Sequence, residues 1–178
     1  MKLEPNKTAL LTLDFQKGIL GMVPGSDAAI PPAAKAVEFA RKKQFQIIHV
    51  GLGFAKGHPE IPDHGDSRFA RVKQGNLFLK GTSSAEFHSS IARPEELVVY
   101  KHRVSAFSEN ELHLILRARV SRTWCSLEFR PAGLPSPRSD VHPISIFDAS
   151  FSRTLVSTPI PRFTAFSPRK FSRCKQQS

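Results

Sequence analysis

The chain has 178 residues, of which 40% are hydrophobic, and this is enough for one domain with a buried core. Its longest apolar runs are far shorter than the roughly 20 residues of a membrane-spanning helix, and its charged opening predicts no secretory leader. Two cysteines, Cys125 and Cys174, cannot supply a disulfide framework, so a reducing, cytoplasmic location is expected.

The net charge of +11 points to an anionic partner, but this charge is unevenly distributed. Residues 1–119 hold 17 Lys and Arg against 12 Asp and Glu, whereas residues 120–178 hold 9 against 3. The second segment also contains 11 Ser and 7 Pro. The composition therefore predicts an α/β domain over residues 1–119 and a poorly ordered Ser/Pro/Arg-rich tail over residues 120–178.

Short apolar runs alternate with helical patterns along residues 8–119. Buried strands are predicted at Thr8–Phe15, Phe45–Phe54 and Glu96–Lys101. A helix with prolines in its first turn follows the first strand. A second helix is predicted after the third strand, with Ser108 as N-cap and Glu111 completing a capping box.

This alternation predicts a doubly wound, Rossmann-like parallel sheet with three α/β/α layers. Ligands of such sheets bind beyond the carboxyl ends of the strands. Asp14 and Lys101 both stand at such ends. Either residue alone is better explained as a solvated loop residue, but two opposite charges at equivalent strand ends make a functional role equally plausible.

The motifs of this region resemble the isochorismatase-like cysteine hydrolase superfamily, which includes nicotinamidases and carbamoylsarcosine amidohydrolases. The resemblance covers residues 8–119 and rests on three segments, of which the third is the most specific: "TALLTLDFQKGIL", "IIHVGLGF" and "VVYKHRVSAFSENELHLILRA". It implies hydrolysis of an amide, another C–N bond or a vinyl ether in a small molecule, with no cofactor. It also implies a possible homo-oligomer and no membrane partner.

The resemblance also assigns roles to individual residues. Asp14 is implied as the general acid/base and Lys101 as the group that stabilises developing charge. Gln16, Phe54 and Phe107 are implied as lining the substrate pocket, although core packing explains the two phenylalanines equally well.

A catalytic cysteine is expected after the next strand, and no matching segment is present. Cys125 lies in "RTWCSLEF" without the turn that would present a thiolate, so no nucleophile is assigned and activity is expected to be absent or impaired.

A one-base reading-frame shift near Arg119 explains the change of composition. Trp124 and Cys125 have codons that begin with TG, so the shifted frame restores codons ending in TG, which encode mostly Val, Leu and Met. One allowed encoding restores "RGIENLVLFG", a helix stop followed by a buried strand, where the resemblance requires both. Loss of that strand would leave the first strand with an open edge. The restored loop does not allow a cysteine at the nucleophile position.

Two alternative functions remain open from the residues alone. The basic tail, interleaved with phenylalanines, could bind nucleic acid or another anionic partner. The segment "HPEIPDHGD" offers potential metal ligands, but an ordinary polar loop explains it better, so no metal is assigned: His58, Asp63, His64 and Asp66.

Overall fold

A computed structural model describes residues 5, 7–63, 69–119, 123–129 and 144–149. The strands are β1 (Thr8–Leu13), β2 (Gln46–Leu52), β3 (Leu97–Lys101), β4 (Thr123–Phe129) and β5 (Ile144–Ala149). The helices are α1 (Lys17–Gly21), α2 (Ile30–Lys42), α3 (Ala70–Gln74) and α4 (Leu112–Arg119), with 3₁₀ turns at Ser26–Ala29 and Ser83–Ala85.

The strands form one sheet in the order β3-β2-β1-β4-β5. The first four strands in this order are parallel, and β5 pairs antiparallel with β4. Every residue of β1 is buried, as expected for the central strand of a sheet covered on both faces. The predicted doubly wound α/β fold is confirmed.

Helices cover both faces of the sheet. On one face α2 packs against β1, β2 and β4 through a stripe of small residues at helical spacing: Ala33, Ala36, Val37 and Ala40. On the other face Leu112 and Leu116 of α4 pack against β1, β2 and β3. No helix among the described residues is long and apolar enough to cross a membrane.

The start of α4 differs from the predicted capping box. The helix begins at Leu112, whose backbone N–H donates to Asn110 Oδ1 at 3.0 Å. Glu109, directly before Asn110, has a left-handed φ of 55°, so it cannot be the first helical residue that an N-cap at Ser108 requires. Asparagine oxygen accepts backbone N–H groups at helix starts as serine oxygen does, and Asn110 accepts the first N–H of the helix here.

The expectation that β1 would keep an open edge is wrong. Residues 123–129 form β4, which pairs with β1 from Thr8 opposite Thr123 to Leu13 opposite Glu128. Cys125, Leu127 and Phe129 alternate along β4 and are buried in the same core cluster. A period of two in apolar residues is sufficient for a strand, whatever the origin of the segment. Residues 120–122, 130–143 and 150–178 of the predicted tail lie outside the described part.

A buried polar chain connects α2 to the centre of the sheet. Arg41 of α2 donates to both carboxylate oxygens of Glu96, at 2.8 and 2.7 Å. His49 of β2 is fully buried, with Nε2 2.9 Å from Glu96 and Nδ1 2.6 Å from the Thr12 hydroxyl. Because a carboxylate can only accept, Nε2 of His49 carries the proton and Nδ1 accepts from Thr12.

The buried His49 predicts a loss of stability in mild acid. Burial lowers the pKa of His49, although the Glu96 carboxylate opposes this shift. The unfolded chain therefore binds a proton near pH 6.5 that the folded chain does not, and the free energy of unfolding falls as the pH drops from about 7 to about 5. Urea unfolding across this range should show a steeper fall for the unmodified protein than for His49→Gln.

Glu96 and His113 do not account for the expected pH dependence, so the slope reports on His49. The pKa of Glu96 is held at about 2 by hydrogen bonds from Arg41 and His49 despite its burial, so its contribution to stability is lost only at lower pH. His113 is exposed, so His113→Gln should leave the slope unchanged. Equal slopes for the unmodified protein and His49→Gln would contradict a buried neutral histidine.

Candidate active site

The structure brings Asp14 and Lys101 into contact at the carboxyl edge of the sheet. Lys101 is the last residue of β3 and lies opposite Leu52 of β2, while Asp14 follows β1 on the other side of β2. The Lys101 ammonium donates to Asp14 Oδ2 at 2.8 Å. Two charges that are 87 residues apart in sequence therefore form one ion pair across the end of β2.

The backbone at Asp14 turns its carboxylate out of the strand. Asp14 has a φ of 66°, in the left-handed region that residues other than glycine seldom adopt, though aspartate does so more readily than most. Its N–H donates to the Val50 carbonyl at 3.0 Å, which keeps the turn attached to β2. The Asp14 side chain is 17% exposed, and its Oδ1 atom is buried while Oδ2 accepts from Lys101.

Lys101 is more deeply buried than Asp14, with 4% of its side chain exposed. Its ammonium also donates to the Val104 carbonyl at 3.0 Å. A charge removed from water is costly unless it is paired and hydrogen-bonded, and both partners meet this requirement here. The cation is therefore fixed in place before any ligand arrives, as charge stabilisation in a reaction requires.

The side-chain amide of Gln16 is hydrogen-bonded to backbone groups of the fold, so it is not free to face a pocket. Its Nε2 donates to the carbonyls of Leu52 and Ala85, at 2.7 and 2.8 Å, and its Oε1 accepts the Leu52 N–H at 2.7 Å. A side chain at Gly51 would come within 2.5 Å of Gln16, so glycine is required beside it. Gln16 fastens the end of β2 to the turn at Ser83–Ala85.

The two aromatic candidates pack against different residues. Phe54 is fully buried, with its ring centroid 5.3 Å from His58 and 5.7 Å from His102. Phe107 is half-buried, and its ring centroid is 4.9 Å from that of Trp124 in β4. Their contact with a substrate stays a prediction, and the packing explanation accounts for both positions.

Cys125 is distant from the ion pair. It is 2% exposed and lies opposite Leu10 in the register of β1 and β4. Asp14 is four positions beyond Leu10, a rise of roughly 13 Å along the strand at about 3.3 Å per residue. Near the carboxyl end of β4 stands Phe129, whose ring centroid is 6.0 Å from that of Phe15. Cys174 lies outside the described residues.

The potential metal ligands do not converge. His58 is buried and hydrogen-bonded through Nε2 to the Leu77 carbonyl at 2.8 Å, whereas Asp63 accepts from Lys73 at the surface at 2.6 Å. His64 and Asp66 lie outside the described residues. Within the described part, no three His, Cys, Asp or Glu side chains are grouped as metal ligands.

One group near the site was not predicted from the sequence. His102 directly follows Lys101, and its Nε2 lies 3.7 Å from Glu60 Oε1. Glu60 also accepts the Ala55 N–H at 3.0 Å, just after β2. The sequence carries no signal for this contact, because 42 positions separate the two residues and neither belongs to a periodic pattern.

Comparison with known proteins identifies the domain and its fold. The isochorismatase domain matches residues 8–124. A cysteine hydrolase from Pseudomonas syringae pv. phaseolicola 1448A has a TM-score of 0.58 at 24% identity, over 71% of this chain and 61% of that protein. An N-carbamoylsarcosine amidase from Thermoplasma acidophilum has a TM-score of 0.49 at 24% identity, over 63% of this chain and 61% of that protein.

A further similar structure is an isochorismatase family protein from Desulfovibrio vulgaris subsp. vulgaris str. Hildenborough. Its TM-score is 0.49 at 22% identity, over 64% of this chain and 62% of that protein. The chain thus spans about three fifths of the length of these three structures. No curated protein matches it in sequence.

The ion pair predicts a measurable coupling energy. Lys101→Met removes the cation from a nearly buried position and should lower the free energy of unfolding by about 1–3 kcal/mol, discounted for the partial exposure of Asp14. In a double-mutant cycle with Asp14→Asn, the coupling should reach at least about 1 kcal/mol.

The exposed ion pair of Lys17 and Glu86 provides the control. These side chains are 46% and 53% exposed, so the cycle of Lys17→Met and Glu86→Gln should give about 0.5 kcal/mol or less. Equal coupling energies in the two cycles would mean that the Asp14–Lys101 pair is no better shielded from solvent than a surface pair.

Proposed function

This chain belongs to the isochorismatase family, and we propose that Asp14 and Lys101 form the acid/base and charge-stabilising half of a hydrolytic site for small molecules. The observation that carries the proposal is the ion pair of 2.8 Å between the two side chains at the carboxyl edge of the sheet. Ligands of doubly wound sheets bind at this edge. The reaction class is cleavage of an amide or another C–N bond, or of a vinyl ether.

The two charges suit different parts of such a reaction. The Asp14 carboxylate can take a proton from a nucleophile or water and return it to a leaving group. A buried ammonium with fixed partners stabilises the negative charge that develops on a carbonyl oxygen. Because the lysine is already oriented by the Val104 carbonyl, little reorganisation is needed during the reaction.

The nucleophile is the part of the site that this chain does not supply among its described residues. Cys125 is buried in mid-strand against the face covered by α2, roughly 13 Å along the sheet from Asp14. A buried thiol in apolar surroundings is unreactive, because the thiolate is the nucleophilic form and burial disfavours it. We therefore expect the chain to bind small substrates with little or no turnover.

The reading-frame shift near Arg119 belongs to the same proposal. A shifted frame is compatible with a buried β4, because Trp124, Cys125 and Leu127 are themselves apolar. Where their codons begin with T, the restored codons have a central T and also encode apolar residues. Sequencing the coding DNA around Arg119 tests this directly. The shift is refuted if no one-base change opens a frame that resembles the family.

Turnover assays test the proposed half-site. With a panel of primary amides such as nicotinamide, we expect ammonia release by the unmodified chain to equal that of Lys101→Ala and Asp14→Asn within error. Substrate binding can be measured as the rise in melting temperature that the substrate causes. This rise should be smaller in both variants, because each removes one charge of the pair. Hydrolysis that disappears in Lys101→Ala would show that a nucleophile is present after all.

A further inference from the structure

The outer edge of β3 is a row of backbone groups that no described strand covers. In the sheet order β3-β2-β1-β4-β5, β3 pairs only with β2. The Lys101 carbonyl accepts the Gly53 N–H at 3.4 Å, so the backbone groups of Lys101 point towards the β2 side. Because these groups alternate in direction along a strand, those of Val98 and Tyr100, both half-buried, point away from β2. The edge of β3 therefore offers donors and acceptors to another strand.

A second, antiparallel copy of β3 matches this edge best in one register. With Val99 facing Val99 of the second copy, Val98 lies opposite Tyr100 of that copy, and each such pair exchanges two backbone hydrogen bonds. Both outward N–H groups and both outward carbonyls of each copy are then satisfied. A shift of the register by two positions would pair only one of these residues within β3, and a shift by one position would pair neither.

The charges that flank β3 favour the same register. Glu95 and Arg103 lie four positions before and four positions after Val99, so the antiparallel pair brings Glu95 of each copy near Arg103 of the other. Glu95 is exposed and has no ion-pair partner within the described part of the chain. Arg103 contacts Glu109 at 3.1 Å but keeps 41% of its side chain exposed. A parallel pair would instead set like charges beside each other, which disfavours it.

The structure leaves room for this contact at the amino end of β3. An open crevice of about 730 Å³ lies there, and its lining includes Glu95 and the first residues of β3. Arg41 and Arg119 also line it, and Arg41 is neutralised by its two hydrogen bonds to Glu96. Of the two carboxylates in this lining, Glu95 is the one that no described residue engages, so it can accept the guanidinium group of a neighbouring copy.

We infer that β3 is the contact surface of a homodimer, in which two copies pair antiparallel across a two-fold axis beside Val99 and Glu95 of each copy binds Arg103 of the other. The two sheets then join into one continuous sheet. This interface does not depend on the reaction proposed for Asp14 and Lys101, because it uses backbone groups and other charges. A strand of five residues gives a small contact area, so the dimer should form in the micromolar range.

Two complementary charge variants of the full chain test the pairing. Glu95→Arg and Arg103→Glu each set like charges side by side in the homodimer, so sedimentation velocity should show at least about a tenfold rise in the dissociation constant of either variant alone. An equimolar mixture of the two should restore association, because both contacts of the mixed dimer join opposite charges. Glu111→Arg makes the same charge change at an exposed position outside β3 and should leave the dissociation constant unchanged.

A proline substitution tests the backbone contact. Val98→Pro removes an N–H that points away from β2, and proline is tolerated at such edge positions, so the circular dichroism spectrum should be kept while dimerisation is lost. Hydrogen exchange of the unmodified chain gives a second measurement. The amides of Val98 and Tyr100 should be protected at high protein concentration and should exchange faster on dilution, because only the dimer pairs them.

Three results would overturn the inference. A chain that stays monomeric up to millimolar concentration would show that this edge does not associate with itself. Dimerisation that is unchanged in Val98→Pro, or that the mixture of charge variants does not restore, would place the contact elsewhere. Protection of the Val98 and Tyr100 amides that does not vary with concentration would show that another segment of the same chain covers β3.

Discussion

A lysine charge with 4% of its side chain exposed is the constraint on which this structure depends. Such a charge is tolerated only where a counter-charge and further hydrogen bonds meet it, and for Lys101 these are Asp14 and the Val104 carbonyl. The requirement links three strands, because β1 must end beside β2 and β3 at the same level. The left-handed turn at Asp14 and its hydrogen bond to Val50 fix that level.

Further hydrogen bonds hold the strands that carry Asp14 and Lys101 in this arrangement. Gln16 fastens the end of β2 to the Ser83–Ala85 turn and thereby fixes the segment directly after Asp14. On the interior side, His49 and Glu96 tie the same strands to α2, so the sheet cannot shift its register without breaking a buried polar chain. The site is thus rigid where the charges lie, whereas β4 supplies packing to it and no reactive group that the structure describes.

The strands β1 to β3, the sheet type and the position of the ion pair could be predicted from sequence, because buried parallel strands are continuous apolar runs and their carboxyl ends meet at one edge. The role of Asn110 at the start of α4 was missed, since serine and asparagine obey the same capping rule and Ser108 lies only two residues away. The strand β4 was missed for a different reason. Basic and proline-rich composition after Arg119 outweighed the short alternation of Cys125, Leu127 and Phe129.

The central claim is that no thiolate of the described residues faces Asp14 and Lys101, and cysteine alkylation tests it most directly. Iodoacetamide labelling of the folded chain, mapped by mass spectrometry, should leave Cys125 unmodified until urea unfolds the protein, because the thiol is buried in the core. Labelling of any remaining thiol should proceed at the same rate in Asp14→Asn. Rapid alkylation of either cysteine in the folded chain that slows in Asp14→Asn would contradict the account.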